Sequence, residues 1–192
     1  MIQTIKFRLH PTPSQESKLH EIFTIYNKTK RIGYKLLFGL KDIKIPKKEK
    51  RKIVQPHLMY ICRNNPYVNS ILIENEMTFA QQQTWNEKRK KYMKNQIDTI
   101  TEKIEQIKQK NENDKRLKGL YSRLSSVQNK LNLLKIKPVV FGTKQLFRKR
   151  TLKRVHRDEF KIKRDSSFCC VGKRQGVNLN LKVLPDRTLK VH

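Results

Sequence analysis

Between residues 144 and 164, ten of twenty-one positions are lysine or arginine: Lys144, Arg148, Lys149, Arg150, Lys153, Arg154, Arg157, Lys161, Lys163 and Arg164. Only Asp158 and Glu159 oppose them in that stretch. Cations at that density suit phosphate, because each ion pair with a phosphate releases condensed counterions and gives affinity without reading sequence. Phe147, Phe160 and Phe168 stand among or beside them, and an exposed ring there stacks on an unpaired base. The plainer reading of each phenylalanine taken alone is that it belongs to the core.

Other chemistries find less. Two-metal hydrolysis of a phosphodiester needs several carboxylates converging on one point. Here Glu74 and Glu76 fall in a predicted helix, Asp98, Glu102 and Glu105 on a helical surface, Asp158 and Glu159 among arginines, and Asp186 in a turn. No Gly-x-Ser-x-Gly, no phosphate-cradling glycine loop and no cysteine close to a histidine supplies a nucleophile. Cys62, Cys169 and Cys170 form no Cys-x-x-Cys pair, and His10, His20, His57, His156 and His192 are scattered singly, so neither a disulfide framework nor a zinc site is expected. The expectation is no catalytic residue, no metal and no cofactor.

The whole chain agrees with its basic stretch. Its 192 residues carry 45 Lys and Arg against 16 Asp and Glu, a formal charge of +29, and such a chain repels itself unless a polyanion neutralises it. Nucleic acid is the expected partner. A membrane surface is the rival, but no apolar run reaches about 18 residues and residues 1–10 do not read as a signal peptide. A soluble cytoplasmic protein, nucleoid-associated when on DNA and without a small-molecule substrate, is expected.

The elements that must position these residues follow from periodicity. Ile2, Thr4, Ile5, Phe7 and Leu9 read as a short strand with Lys6 and Arg8 on one face, ended by Pro11 and Pro13. Residues 14–40 carry apolar positions at helical spacing, and residues 41–52 read as a basic loop around Pro46. After Pro66 a helix runs through Ile73, Met77, Ala80 and Tyr92, with Trp85 and Tyr92, one heptad apart, expected as core anchors. Ile97, Ile100, Ile104 and Ile107 keep three-four spacing, as do Leu117, Leu120, Leu124, Val127, Leu131 and Leu134, but the two series fall out of phase across residues 111–114. A turn there makes an antiparallel helical hairpin. Two readings of the hairpin stay open: a coiled-coil arm that buries only its own leucines, and a face for nucleic acid. Beyond Pro138 the segments 139–141, 168–171, 179–184 and 189–191 are strand-like, with a turn at Pro185, Asp186 and Arg187. A lone N-terminal strand needs a sheet, so it is expected to pair with these later strands. The expected fold is α+β, a small β-barrel split by a large helical insertion: residues 1–13, then a helical domain 14–137, then residues 138–192.

Four segments resemble one known family. These are Ile5-Lys6-Phe7-Arg8-Leu9-His10-Pro11 with Gln15 and the later Tyr26-Asn27; Val139-Val140-Phe141-Gly142-Thr143-Lys144 with Phe147; Glu159-Phe160 onward to Arg164; and Gly172-Lys173 with Gly176, Asn178 and Leu179. Together they resemble the TnpB (OrfB) proteins of insertion sequences, the transposase-labelled ancestors of type V CRISPR effectors. The resemblance spans essentially the whole chain but only the family's N-terminal half. It implies a wedge-type β-barrel split by a helical recognition domain, gripping a guide RNA and target DNA, with base pairing supplying the specificity. The nucleic-acid-binding residues expected on this basis are Lys6, Arg8, Asn27, Lys144, Phe147, Arg148, Arg164, Lys173 and Asn178. The family's RuvC-like nuclease domain and zinc ribbon are not in this sequence, so it reads as a truncated relative that binds without cutting. The alternative is a coiled-coil structural or assembly protein with a basic surface.

Overall fold

The computed structural model describes residues 10–169 and the backbone of two short strands beyond them. Helix α1 spans Pro13–Gly39. The Thr12 hydroxyl accepts from the Gln15 amide at 3.4 Å and the Gln15 side chain accepts from the Thr12 amide at 2.9 Å, a reciprocal cap that satisfies two N-terminal donors, with Pro13 pre-set for the first turn. Helix α2 spans Lys47–Ile61, so much of the expected basic loop is helical. Helix α3, Asn65–Lys110, is 46 residues long. Helices α4, Arg116–Asn132, α5, Lys144–Thr151, and α6, Arg157–Arg164, follow.

The described residues fall into two compact units. One comprises those up to Glu76 together with those from Val139 onward. Its core joins Tyr26 of α1, Val54 and Leu58 of α2, Cys62, and Tyr67, Val68, Ile71 and Leu72 of α3. The helices approach closely at Gly33, where an added Cβ would stand 2.9 Å from Asn75 Nδ2 and 3.0 Å from Leu58 Cδ1. Asn75 Nδ2 in turn donates to the Lys30 carbonyl at 3.0 Å. Burial pushes the Cys62 thiol pKa up, which keeps it protonated.

The other unit, Met77–Pro138, is the second part of α3 and all of α4. The chain turns at residues 111–115, where the two apolar series fall out of phase, and the Asp114 carboxylate accepts from the Arg116 amide at 2.8 Å to open α4. Met93, Ile100 and Ile104 close against Leu117 and Val127. The stripe ends there: Trp85 and Tyr92, expected as core anchors, are 71% and 62% exposed.

The expected barrel is not what folds. Among the described residues the one sheet is a two-stranded antiparallel ribbon, β1, Leu181–Val183, against β2, Leu189–Val191, in the register Leu181 to Val191. The other regular elements among the described residues are all helices, so the α+β, wedge-type β-barrel reading is overturned. The strand-like triplet 139–141 forms no ladder: the Val139 amide donates to the Tyr34 hydroxyl at 3.2 Å, and the Phe141 ring meets the Tyr34 ring edge-on at 5.4 Å. Phe168 is likewise taken into the helical core, against Phe23 at 5.2 Å, Tyr67 at 5.8 Å and Tyr26 at 6.0 Å. β-branched and aromatic residues favour strands only where a neighbouring strand exists to pack on; here helices supply the partner surface. The strand expected over residues 2–9 lies outside the described residues.

Candidate nucleic-acid interface

The basic stretch folds as two short helices on the first unit. Gly142, at φ 120°, turns the chain before α5, and a Cβ there would stand 2.9 Å from the Phe147 ring. Such a φ belongs to glycine. Thr143 then caps α5, its hydroxyl accepting from the Leu146 amide at 3.2 Å. The exit from α5 is a Schellman turn: the Arg154 amide reaches the Lys149 carbonyl at 2.9 Å and the Lys153 amide the Arg150 carbonyl at 3.0 Å. Lys153 takes the left-handed conformation, φ 54°, that the turn demands. Phe147 of α5 meets Phe160 of α6 at 5.2 Å and 67°. Two eight-residue helices thus share a small aromatic core and turn their cations outward.

α6 pairs both of its acids with its own lysines. Lys161 bonds Asp158 at 2.9 Å and Lys163 bonds Glu159 at 2.5 Å, and these bonds hold both carboxyls below their ordinary pKa. Both acids also stand in the first turn, where the helix dipole favours them. The remaining cations are different. Lys144, Arg148, Lys149, Lys153, Arg154 and Arg157 are exposed and none has a carboxylate within ion-pair distance among the described residues. Lys144 even opens α5, where the dipole repels a cation. A helix of this composition is electrostatically unfavourable on its own, and a polyanion relieves it.

The module is fastened to α1 through Asp165, a carboxylate only 5% exposed. Arg164 bonds it through two nitrogens at 2.9 Å each, and Arg31 of α1 approaches its other side at 2.5 and 3.3 Å. Burial pushes the Asp165 pKa up, but the two guanidiniums outweigh it and leave the group below its ordinary value. Asn27 of α1 adds a second fastening: its amide nitrogen donates to the carbonyls of Phe23 at 2.9 Å, Asp165 at 3.2 Å and Ser167 at 2.7 Å.

The expected site residues therefore divide. Lys144 and Arg148 lie together on exposed α5. Phe147 faces the module's own core, and Arg164 is held by Asp165 and stands 5.6 Å over the Phe160 ring. Asn27 fastens the module to α1. Lys6, Arg8, Lys173 and Asn178 lie outside the described residues. Sequence reasoning did not single out Arg31 and Asp165, whose ion pair spans 134 positions, nor the exposure of Trp85 and Tyr92. Among the described residues no three His, Cys, Asp or Glu side chains gather as a metal site, and no helix is long and apolar enough to cross a membrane. No family model, no curated protein and no solved structure matches this chain.

Proposed function

We propose that this chain binds nucleic acid through the cationic face of α5 and the turn after it, as the guide-RNA and target-DNA grip of a TnpB-like system, with no catalytic residue of its own. One observation carries the reading: α6 spends its two acids on its own lysines, while Lys144, Arg148, Lys149, Lys153, Arg154 and Arg157 stay exposed with no described carboxylate to pair with. The TnpB part of the proposal rests on the sequence segments that resemble the family, and it includes no barrel. The hairpin's apolar stripe is occupied within the hairpin, which favours binding over coiled-coil assembly as the role of the chain.

The test is to purify the protein from its host and sequence the RNA retained after a wash at about 0.5 M salt, where exposed phosphate interactions are screened. One structured RNA from beside its own gene is expected; bound RNA that mirrors the cell's total leaves only a nonspecific polyanion binder. Replacing Lys144 and Arg148 by glutamate should weaken that RNA's affinity by about tenfold or more at moderate salt and flatten its salt dependence by roughly one unit for each phosphate that is no longer bound. Unchanged affinity removes α5 from the interface.

A further inference from the structure

Along the second unit, the segment after α4 continues beside α3. Gln82 Nε2 donates to the Lys137 carbonyl at 2.8 Å and closes one end of a groove of about 880 Å³ between them. Trp85 and Tyr92 line it, seven residues apart and so on one face of the helix, both well exposed. The Tyr92 hydroxyl accepts from Gln96 at 2.9 Å, which restrains the ring. Lys88, Arg89, Lys130 and Lys135 stand in the same lining, Lys88 with its ammonium 5.7 Å from the centre of the Trp85 ring, and no acidic residue lines the groove. An indole this exposed is a poor core residue and a good platform: base faces stack on it whatever their sequence, and surrounding cations hold the phosphates.

The geometry points to a binding site for single-stranded RNA in this groove, with bases stacked on Trp85 and Tyr92 and phosphates on Lys88, Arg89, Lys130 and Lys135. It is a second interface, separate in kind from α5, and it rests on the reading that the chain binds nucleic acid. A duplex hides its base faces and leaves the rings nothing to stack on; an unpaired stretch of RNA fits here.

Trp85 is the chain's sole tryptophan, so its emission reports on this groove alone. The intact protein is titrated with unstructured oligo(rA) carrying a dye, following anisotropy for binding and tryptophan emission for stacking. Binding with quenching is expected, while heparin, a polyanion without bases, should leave the emission nearly unchanged. Trp85→Ala should lower oligo(rA) affinity by about tenfold, with the circular dichroism of the parent. Binding without quenching, quenching by heparin equal to that by RNA, or parental affinity in Trp85→Ala overturns the groove and leaves the α5 reading standing. Stronger quenching by oligo(dA) than by oligo(rA) overturns the assignment to RNA. No binding of either RNA or DNA by anisotropy overturns the nucleic-acid reading itself, and the groove with it.

Discussion

The α5–α6 module and the Trp85 groove are both aromatic and basic, yet they arrange the two residue types in opposite ways. In the module Phe147 and Phe160 close on each other, and the cations stand exposed around a pair of rings turned inward. On α3 the rings of Trp85 and Tyr92 share the surface with Lys88 and Arg89. The difference comes from the supply of a partner. α5 and α6 each offer the other an apolar face, whereas α4 ends at Asn132 and the residues of α3 before Met93 have no helix of that hairpin to pack against. A surface with only cations reads phosphate; one with exposed rings also offers purchase to bases.

Removing one ring from each region should separate them most sharply. Phe160→Ala takes away the centre of the module and should cost about 3 kcal/mol of stability, with RNA affinity falling as the α5 face loses its support. Trp85→Ala removes a largely exposed side chain and should leave stability within about 0.5 kcal/mol. Urea denaturation followed by circular dichroism measures both. Similar losses in the two variants would mean that the Trp85 ring is packed after all, and the contrast would collapse.

The fastening of the module comes next in size. Asp165→Ala leaves two guanidiniums facing each other and should destabilise the first unit by about 2 kcal/mol, less than for a fully buried pair because Arg31 and Arg164 keep part of their surface in water. Hydrogen exchange should quicken in α6 and stay slow at Ile100 and Ile104, which belong to the other unit. The pH dependence has a definite sign. A carboxyl whose folded pKa lies below its ordinary 3.8 contributes its stability above that value and loses it as pH falls through the folded pKa. The parent should therefore lose stability below about pH 4 more steeply than Asp165→Ala; identical acid limbs would show that Asp165 gains nothing from its partners.

What the sequence made legible follows the range of the interactions. The α3–α4 turn is local, and the phase break between Ile107 and Leu117 marks it. α1 is equally local, its apolar positions at helical spacing. The stripe through Trp85 and Tyr92 has the right period too, but a period cannot say where the partner helix stops. α5 and α6 were hidden for another reason: eight residues each and half of them cationic, they carry only two apolar residues apiece, Leu146 with Phe147 and Phe160 with Ile162. The triplet Val139, Val140 and Phe141 misled through local composition, because its fate was decided by Tyr34, more than a hundred positions away. Arg31 and Asp165 carry no local signature at all.

The smallest effect tests the interface where affinity and stability pull apart. Lys153 is exposed in the left-handed region, a conformation that costs an ordinary residue about 1 kcal/mol and glycine almost nothing. Glycine also loses more freedom on folding, which takes back part of the gain. Lys153→Gly should therefore raise stability by about 0.5 kcal/mol in urea denaturation. The same change deletes one of the cations beside α5, so RNA affinity should fall slightly and the salt slope by roughly one unit if Lys153 touches a phosphate. A lysine kept where glycine folds better makes sense when the charge is used. If Lys153→Gly gains stability and binds RNA with the parent's affinity and salt slope, Lys153 serves the turn only and is no part of the cationic face.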